Sequence, residues 1–339
     1  MQEKALAYGD IMSIDHLMTE VFIEGDQIDS YPVNEEEFVS KRNYIGSIHE
    51  VLDIIDKSKK ICVLLGAGGS VGPDFRSEGG LYDFIASECL LKDPCSVFNL
   101  EHFRKDPSLF WKYAFTIFPP ENPRHSEIHY FLENLAMRGK LLRVYSQNVD
   151  ALEVGLEDDI LRCVHGSWRS CHCDYCGQTY NINDIRDIVN KREVPQCKVC
   201  GGIIHPGIVF FGEPVLIDDE ELYSDVENMD LLIVIGTSLK VAPISQLPKL
   251  VTNAPTILIN RQPVGVEFDA QLLGECDVIA EMITNELEWS SNDTLTEFQF
   301  LSPNLFIFQG DEKLGTRIYE DHRSHFLVTS HPCDIKDLN

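Results

Sequence analysis

The chain has 339 residues, 44% of them hydrophobic and 24% charged, which fits a globular protein with a sizeable core. Its formal net charge of −27 speaks against direct nucleic-acid binding, which needs a basic face, and favours cationic partners such as lysine-rich peptides. No apolar run reaches membrane-spanning length and the first 30 residues carry no secretory pattern, so neither a membrane partner nor a leader is expected. The 11 cysteines, an odd number, predict a reducing compartment rather than a disulfide framework.

Residues 1–45 read as an acidic extension with weak periodicity, and runs such as Glu35-Glu36-Glu37 and Asp218-Asp219-Glu220-Glu221 read as solvated surface charge. From Gly46 the pattern sharpens. Ile48, Val51, Leu52 and Ile55 have the spacing of an amphipathic helix, and residues 61–65 come next as a buried strand broken by Gly66. Ile128, Phe131, Leu132 and Leu135 mark a second helix, with Ser126 as its N-cap and Gly139 as its stop. Strands are expected at 141–145, 231–235 and 256–259. Apolar strands alternating with helices predict an α/β fold, an open parallel sheet with helices on both faces. Residues 290–339 lose periodicity and read as a C-terminal extension with some local structure.

The carboxyl ends of these strands share a chemistry. Gly66-Ala67-Gly68 stands at the end of the first, Gln147-Asn148-Val149-Asp150 at the second, Gly236-Thr237-Ser238 at the third and Asn260-Arg261 at the fourth. Ligands in such sheets bind outside the carboxyl ends of the strands, so four polar or glycine-rich ends together predict a ligand crevice. The glycine loop lets backbone N–H groups approach a pyrophosphate. A dehydrogenase fingerprint would need a third glycine at position 71, where this chain has Val71.

Cys173, Cys176, Cys197 and Cys200 form two C-x-x-C pairs with 20 residues between them, the spacing of a structural zinc site. Cys171 and His172 sit beside the first pair and could compete as ligands; the spacing favours Cys173. The module, at about 168–206, interrupts the nucleotide-binding domain between its second and third strands.

In this order the motifs resemble the sirtuin family of NAD-dependent protein-lysine deacetylases. The resemblance rests on Gly66-Ala67-Gly68, Pro73-Asp74-Phe75-Arg76-Ser77 and Gly79-Gly80-Leu81-Tyr82, then Gln147-Asn148-Val149-Asp150 and Val164-His165-Gly166-Ser167. It continues through the paired cysteines, residues 208–213, Gly236-Thr237-Ser238-Leu239, Ile259-Asn260-Arg261 and Cys276-Asp277. It covers residues 46–289, and stretches 236–243 and 258–264 look most like the nuclear histone-deacetylating branch.

The resemblance implies a Rossmann-like catalytic domain, NAD as cofactor and one structural Zn2+. It implies transfer of an acetyl group from lysine to the ADP-ribose part of NAD, releasing nicotinamide, O-acetyl-ADP-ribose and free lysine. His165 would be the general base, a task that suits an imidazole near neutral pH. Asn148 and Asp150 would hold the nicotinamide end, and Gln147 its ribose. Phe75 would cover the reacting carbon, while Asp74 and Arg76 organise the loop that starts at Gly66, Ala67 and Gly68. Ser238, with Gly236 and Thr237, would meet phosphate; Asn260 and Arg261 the adenine ribose; and Cys276 the adenine. Val209 and Phe210 would line an acyl-lysine tunnel, with the substrate peptide added as a strand along Phe211 and Gly212. Acetylated histone tails, silencing-complex proteins and a nuclear location are implied in the same way.

Three features depart from the family pattern. Only Gly69, Ser70 and Val71 separate Gly68 from Gly72, a shorter loop, and the aliphatic residue before Pro73 is missing. Gly207 stands where the family more often has Asp or Asn. Tyr113 has no arginine three residues later, so an acetyl or apolar acyl group is expected rather than an acidic one. The shortened loop also admits a catalytically weak silencing scaffold, and ADP-ribosyl transfer to protein would share the cofactor chemistry.

Overall fold

The computed structural model describes residues 44–70, 80–89, 93–121, 125–153 and 156–289, and the backbone of four strands beyond them. Most of the acidic extension, and residues 71–79 of the glycine loop, lie outside the described residues. Ile45 is already part of the packed unit: it is buried, and its N–H donates to the Asp269 carbonyl at 3.0 Å.

Ser47 caps helix α1 (Ile48–Lys57). Its side chain accepts the Glu50 N–H at 3.2 Å, and Glu50 Oε2 accepts the Gly46 N–H at 3.1 Å. Strand β1 (Ile61–Leu65) comes after it and is buried along its whole length. Helices α2 (Leu81–Cys89), α3 (Leu100–Lys105) and α4 (Ser108–Ala114) come next. Helix α5 (Glu127–Met137) starts at Ser126, whose N–H donates to His129 Nδ1 at 3.1 Å, and stops before Gly139, whose φ of +63° glycine tolerates. Strands β2 (Leu141–Ser146) and β3 (Leu161–Cys163) then lead into the inserted module. That module holds β4 (Gly166–Cys173), β5 (Thr179–Tyr180), helix α6 (Ile182–Asn190) and β6 (Ile204–Ile208). The chain returns through α7 (Asp219–Asn228), β7 (Leu231–Ile235), α8 (Leu247–Leu250), β8 (Thr256–Asn260), β9 (Ala270–Leu273) and α9 (Cys276–Glu286).

Six strands, β9-β8-β7-β1-β2-β3, run parallel in that spatial order. Their strictly alternating side chains divide the core in two. Ile61, Val63, Leu65, Ile233 and Ile257 face α1, α5 and α9. Cys62, Leu64, Leu232, Val234 and Leu258 face α7 and α8. Helices therefore cover both faces, as the alternating pattern predicted. A third core, rich in Phe and Trp, joins α2–α4 to the zinc module through Phe103, Phe110, Trp111, Trp168 and Phe210.

The C-terminal segment, expected as an extension with local structure, supplies two strands to the main sheet. Strand β11 (Leu305–Phe308) pairs in parallel with β9, and β10 (Phe298–Ser302) pairs antiparallel with β11. Strands β12 (Thr316–Glu320) and β13 (His325–Thr329) form a separate antiparallel pair.

One buried ion-pair cluster ties the sheet to α7. Arg143 Nε donates to Asp225 at 2.7 Å, the Tyr145 hydroxyl donates to the same carboxylate at 2.7 Å, and Arg162 grips Glu221 through two bonds of 2.6 Å.

Candidate active site

The strand order reverses direction between β1 and β7, the first strand and the strand that comes after the zinc module. That is the point where parallel sheets of this kind open a crevice. The loops leaving these two strands interlock through glycines. Gly68 N–H donates to the Gly236 carbonyl at 2.8 Å, and Gly236 N–H donates to Ile259 O at 2.9 Å. A Cβ on Gly66 would stand 2.6 Å from Thr237 Cβ. The glycines serve this close approach: a Cβ on Gly66, Gly68 or Gly236 would run into the facing loop, and their N–H groups bond to the Ile235, Gly236 and Ile259 carbonyls.

Strand β2 ends beside this crevice. Gln147 N–H donates to Leu65 O at 2.8 Å, and the Gln147 side-chain oxygen accepts the Thr237 hydroxyl at 2.7 Å. Three strand ends are thereby joined. Asn148 is 5% exposed, and neither its side-chain oxygen nor its nitrogen has a hydrogen-bond partner among the described residues. A buried amide with both groups unmet is expensive, and a polar ligand would satisfy it. Asp150 accepts from the Ser70 hydroxyl and from Leu152 N–H, tying the start of the glycine loop to the end of β2.

His165 lies between β3 and β4, at the base of this cluster. Its Nδ1 is 3.1 Å from the Gln147 carbonyl oxygen. A carbonyl can only accept, so Nδ1 carries the hydrogen and the neutral ring leaves Nε2 with a free lone pair. That Nε2 is buried and has no hydrogen-bond partner among the described residues. Burial holds the imidazole below its ordinary range, and the bond to Gln147 only partly offsets this. The ring is therefore neutral near pH 7, the form that accepts a proton.

Beneath Asn148 lies a carboxylate that the motifs did not mark. Glu153 is 2% exposed and accepts the Ser146 hydroxyl, whose oxygen in turn accepts Asn148 N–H at 3.1 Å. Burial first, and the Asp150 charge second, push the Glu153 carboxyl up to about 7. Its neighbours Leu152 and Val154 are apolar, so no residue pattern announced it.

The remaining predicted cofactor residues gather at the ends of β7 and β8. Thr237 is buried, whereas Ser238 is exposed. Asn260 donates to Thr237 O at 3.3 Å and to Gln262 O at 2.7 Å. Arg261 pairs with Glu275 at 2.7 Å. The Cys276 thiol is buried, directed at Ile259 O, and pushed up to about 12 by burial, so it stays protonated. Asp74, Phe75 and Arg76 lie outside the described residues.

Segment 209–212 leaves the zinc module next to His165. Val209 N–H donates to His165 O at 2.8 Å. Phe211 is exposed and forms a parallel bridge with Asn99, and Gly212 has a φ of +100°. Phe210 turns inward: it is 1% exposed and packs against Phe103 and Phe110, each ring 4.9 Å away. Glu213, the last residue of the 208–213 motif, accepts the Phe210 N–H at 2.7 Å.

The cysteine pairs converge. Cys173 and Cys200 sulfurs are 3.5 Å apart, Cys176 and Cys197 sulfurs 3.6 Å, and all four lie within 4.8 Å of one another. Tetrahedral Zn–S bonds of about 2.3 Å place sulfurs about 3.7 Å apart, so the set fits zinc. The two knuckles repeat one turn. Gly177 N–H donates to Cys173 O and Gly201 N–H to Cys197 O, both at 2.9 Å, with both glycines at positive φ. Tyr180 adds a hydroxyl donor to the Cys197 sulfur at 3.0 Å. Cys171 is buried in the aromatic core and is not one of the converging sulfurs.

Comparison with known proteins fits this geometry. The model of the Sir2 family matches residues 66–243. The NAD-dependent protein deacetylase sir-2.1 of Caenorhabditis elegans is 39% identical over 285 residues, 81% of this chain and 46% of the relative. The NAD-dependent protein deacetylase sirtuin-1 of Homo sapiens is 40% identical over 262 residues, 73% of this chain and 34% of the relative. The chain spans about half or less of the length of these curated relatives. A solved structure described as a Sir2 histidine variant with deacetylated p53 peptide and 3'-O-acetyl-ADP-ribose superposes with a TM-score of 0.62 at 26% identity, covering 71% of this chain and 98% of that one. Sheet order, switch-point glycines, cysteine knuckles and these matches agree: the chain belongs to the Sir2 family.

Proposed function

We propose that this protein is an NAD-dependent protein-lysine deacetylase. The observation that carries the reading is the pairing of two groups on adjoining segments that have no partner among the described residues: the buried Nε2 of a neutral His165 and the side-chain amide of Asn148. NAD, when bound, would supply an electrophilic ribose carbon for the acetyl oxygen, with nicotinamide as the leaving group.

This chain's residues do the rest. Gly66, Ala67, Gly68 and Gly236 shape the two interlocked loops that border the phosphates, with Thr237 and Ser238 beside them. Asn148 and Asp150 hold the nicotinamide end, and Gln147 the ribose next to it. Nε2 of His165 takes a proton from a ribose hydroxyl, which makes that oxygen nucleophilic toward the acetyl carbon. Asn260, Arg261 and the Cys276 backbone hold the adenosine end. The peptide docks along Val209, Phe211 and Gly212, while Phe210 supports that segment from the core. Zinc on Cys173, Cys176, Cys197 and Cys200 is structural, because four thiolates leave no open position.

The reading extends to a nuclear, histone-directed enzyme. Relatives in Drosophila melanogaster and Candida albicans are described as NAD-dependent histone deacetylases, and a net charge of −27 draws in lysine-rich tails. Residues 46–289 are taken as the catalytic unit.

The test is an acetylated histone-tail peptide incubated with the zinc-loaded protein, with and without NAD. Acetyl loss and nicotinamide release should appear only with NAD, and acetyl loss should fall by a factor of about 10²–10⁴ in His165→Ala. A folded, zinc-loaded sample that removes no acetyl group with NAD present overturns the reading.

A further inference from the structure

Behind the zinc knuckles lies a second cluster of metal-binding side chains. Along β4 the side chains alternate, so Cys171 and Cys173 point inward while His172 points out, with Asp174 two residues on. His172 stands directly opposite His205 in the antiparallel β4–β6 ladder. Their rings stack with centroids 5.1 Å apart. His172 Nε2 is 3.7 Å from Asp174 Oδ1. The ligand atoms of His172, Asp174 and His205 all lie within 4.8 Å of one another.

His205 gives this cluster its direction. The residue is 2% exposed. Its Nδ1 lies 2.6 Å from the Pro206 carbonyl oxygen, which can only accept, so Nδ1 carries the hydrogen. The neutral ring therefore has its lone pair on Nε2, and that atom is buried without a hydrogen-bond partner among the described residues. Unmet buried nitrogens of this kind are rare and call for a missing partner. Glu213 Oε1 lies 3.7 Å away, too far for a hydrogen bond.

We propose that His172, Asp174 and His205 form a second zinc site, separate from the four cysteines. Two imidazoles and a carboxylate are a ligand set that Zn2+ takes, with the fourth position left for water or the Glu213 carboxylate. Metal–ligand distances of about 2.0–2.2 Å require the donors to draw together by about 1 Å, which the exposed His172 side chain can do. The site would act on the segment beside it. The His205 ring packs on Phe210 at 4.8 Å and on Phe103 at 5.1 Å, and Glu213 holds the Phe210 N–H. An ion here fastens β4 to the stretch that leads into residues 209–212, and so stiffens it.

The test uses the full chain, equilibrated with zinc and freed of unbound metal, with metal per chain measured by mass spectrometry. The wild type should hold two zinc ions, and His172→Ala and Asp174→Asn should each hold one. Both positions are exposed, so the fold is not at stake; His205→Ala, at a buried position, serves only as support. Cobalt substitution identifies which ion is lost: the intense sulfur-to-cobalt band of the thiolate site should remain in both variants, and weaker visible bands should vanish. One zinc ion in the wild type overturns the proposal, as do two ions in both variants.

Discussion

The carbonyl oxygen of Gly236 accepts the Gly68 N–H at 2.8 Å, so the loops leaving β7 and β1 are stitched together at the switch point of the sheet. A Cβ on Gly236 would stand 2.1 Å from Gly69 N and 2.4 Å from Gly68 C, on a residue with a φ of +62°. Left-handed backbone alone costs a non-glycine residue about 1–2 kcal/mol, and both close contacts are backbone atoms that cannot swing away. Gly236→Ala should lower the melting temperature and weaken NAD binding at least about tenfold, a loss of about 1.4 kcal/mol, by calorimetry. Wild-type affinity in this variant would show that the loops do not form the phosphate cradle.

As the proposed base, His165 should set the acid limb of the pH profile. Burial holds its imidazole below 6.5, so the neutral base persists as pH falls through the ordinary histidine range. The acid limb of kcat/KM for the acetylated peptide should lie below pH 6.5, and His165→Ala should reduce the rate by a factor of about 10²–10⁴. A limb above that value contradicts the buried-base account.

Glu153 makes the opposite contribution to stability from most carboxylates. Its pKa rises from 4.5 to about 7 in the folded chain, so the folded state holds the proton more tightly than the unfolded state. Its stabilising effect is full below pH 4.5 and is lost as pH rises through about 7. The gap amounts to roughly 3 kcal/mol. Glu153→Gln keeps the neutral shape at every pH. It should match the wild type near the bottom of that window and exceed its melting temperature above pH 8. A difference between the two proteins that does not change with pH refutes this.

Removing a thiolate should undo more than the zinc site. Cys173 and Cys197 belong to the same buried cluster as Trp168, Phe110 and Phe210. In Cys197→Ser the thiolate-bound ion should be lost, seen as disappearance of the sulfur-to-cobalt band. Tryptophan emission should shift to the red as that core loosens. Retention of the band with unchanged emission would mean that the fourth sulfur is dispensable.

Much of the fold was legible in the residues. The i, i+3, i+4, i+7 spacing placed α1, and Ser126 and Gly139 bounded α5, because caps and amphipathic faces are local devices. The four apolar runs became β1, β2, β7 and β8, since strands buried on both faces must be apolar throughout. The cysteine spacing placed the metal centre. Strand β9 and helices α2–α4 were less legible: short elements carry too few periods to read. The role of β10 and β11 as sheet extensions was hidden too, because pairing with β9 is a long-range choice.

Local chemistry therefore determined the family motifs, the strand ends, the four zinc ligands and the identity of the histidine. Only the tertiary structure decided that Asn148 is buried without a side-chain partner among the described residues, that His165 Nε2 is likewise unmet, that burial raises the Glu153 carboxyl, and that His172 faces His205 across a ladder. The physical reason is that burial, tautomer and cross-strand register depend on residues far apart in the chain, and no spacing along it records them.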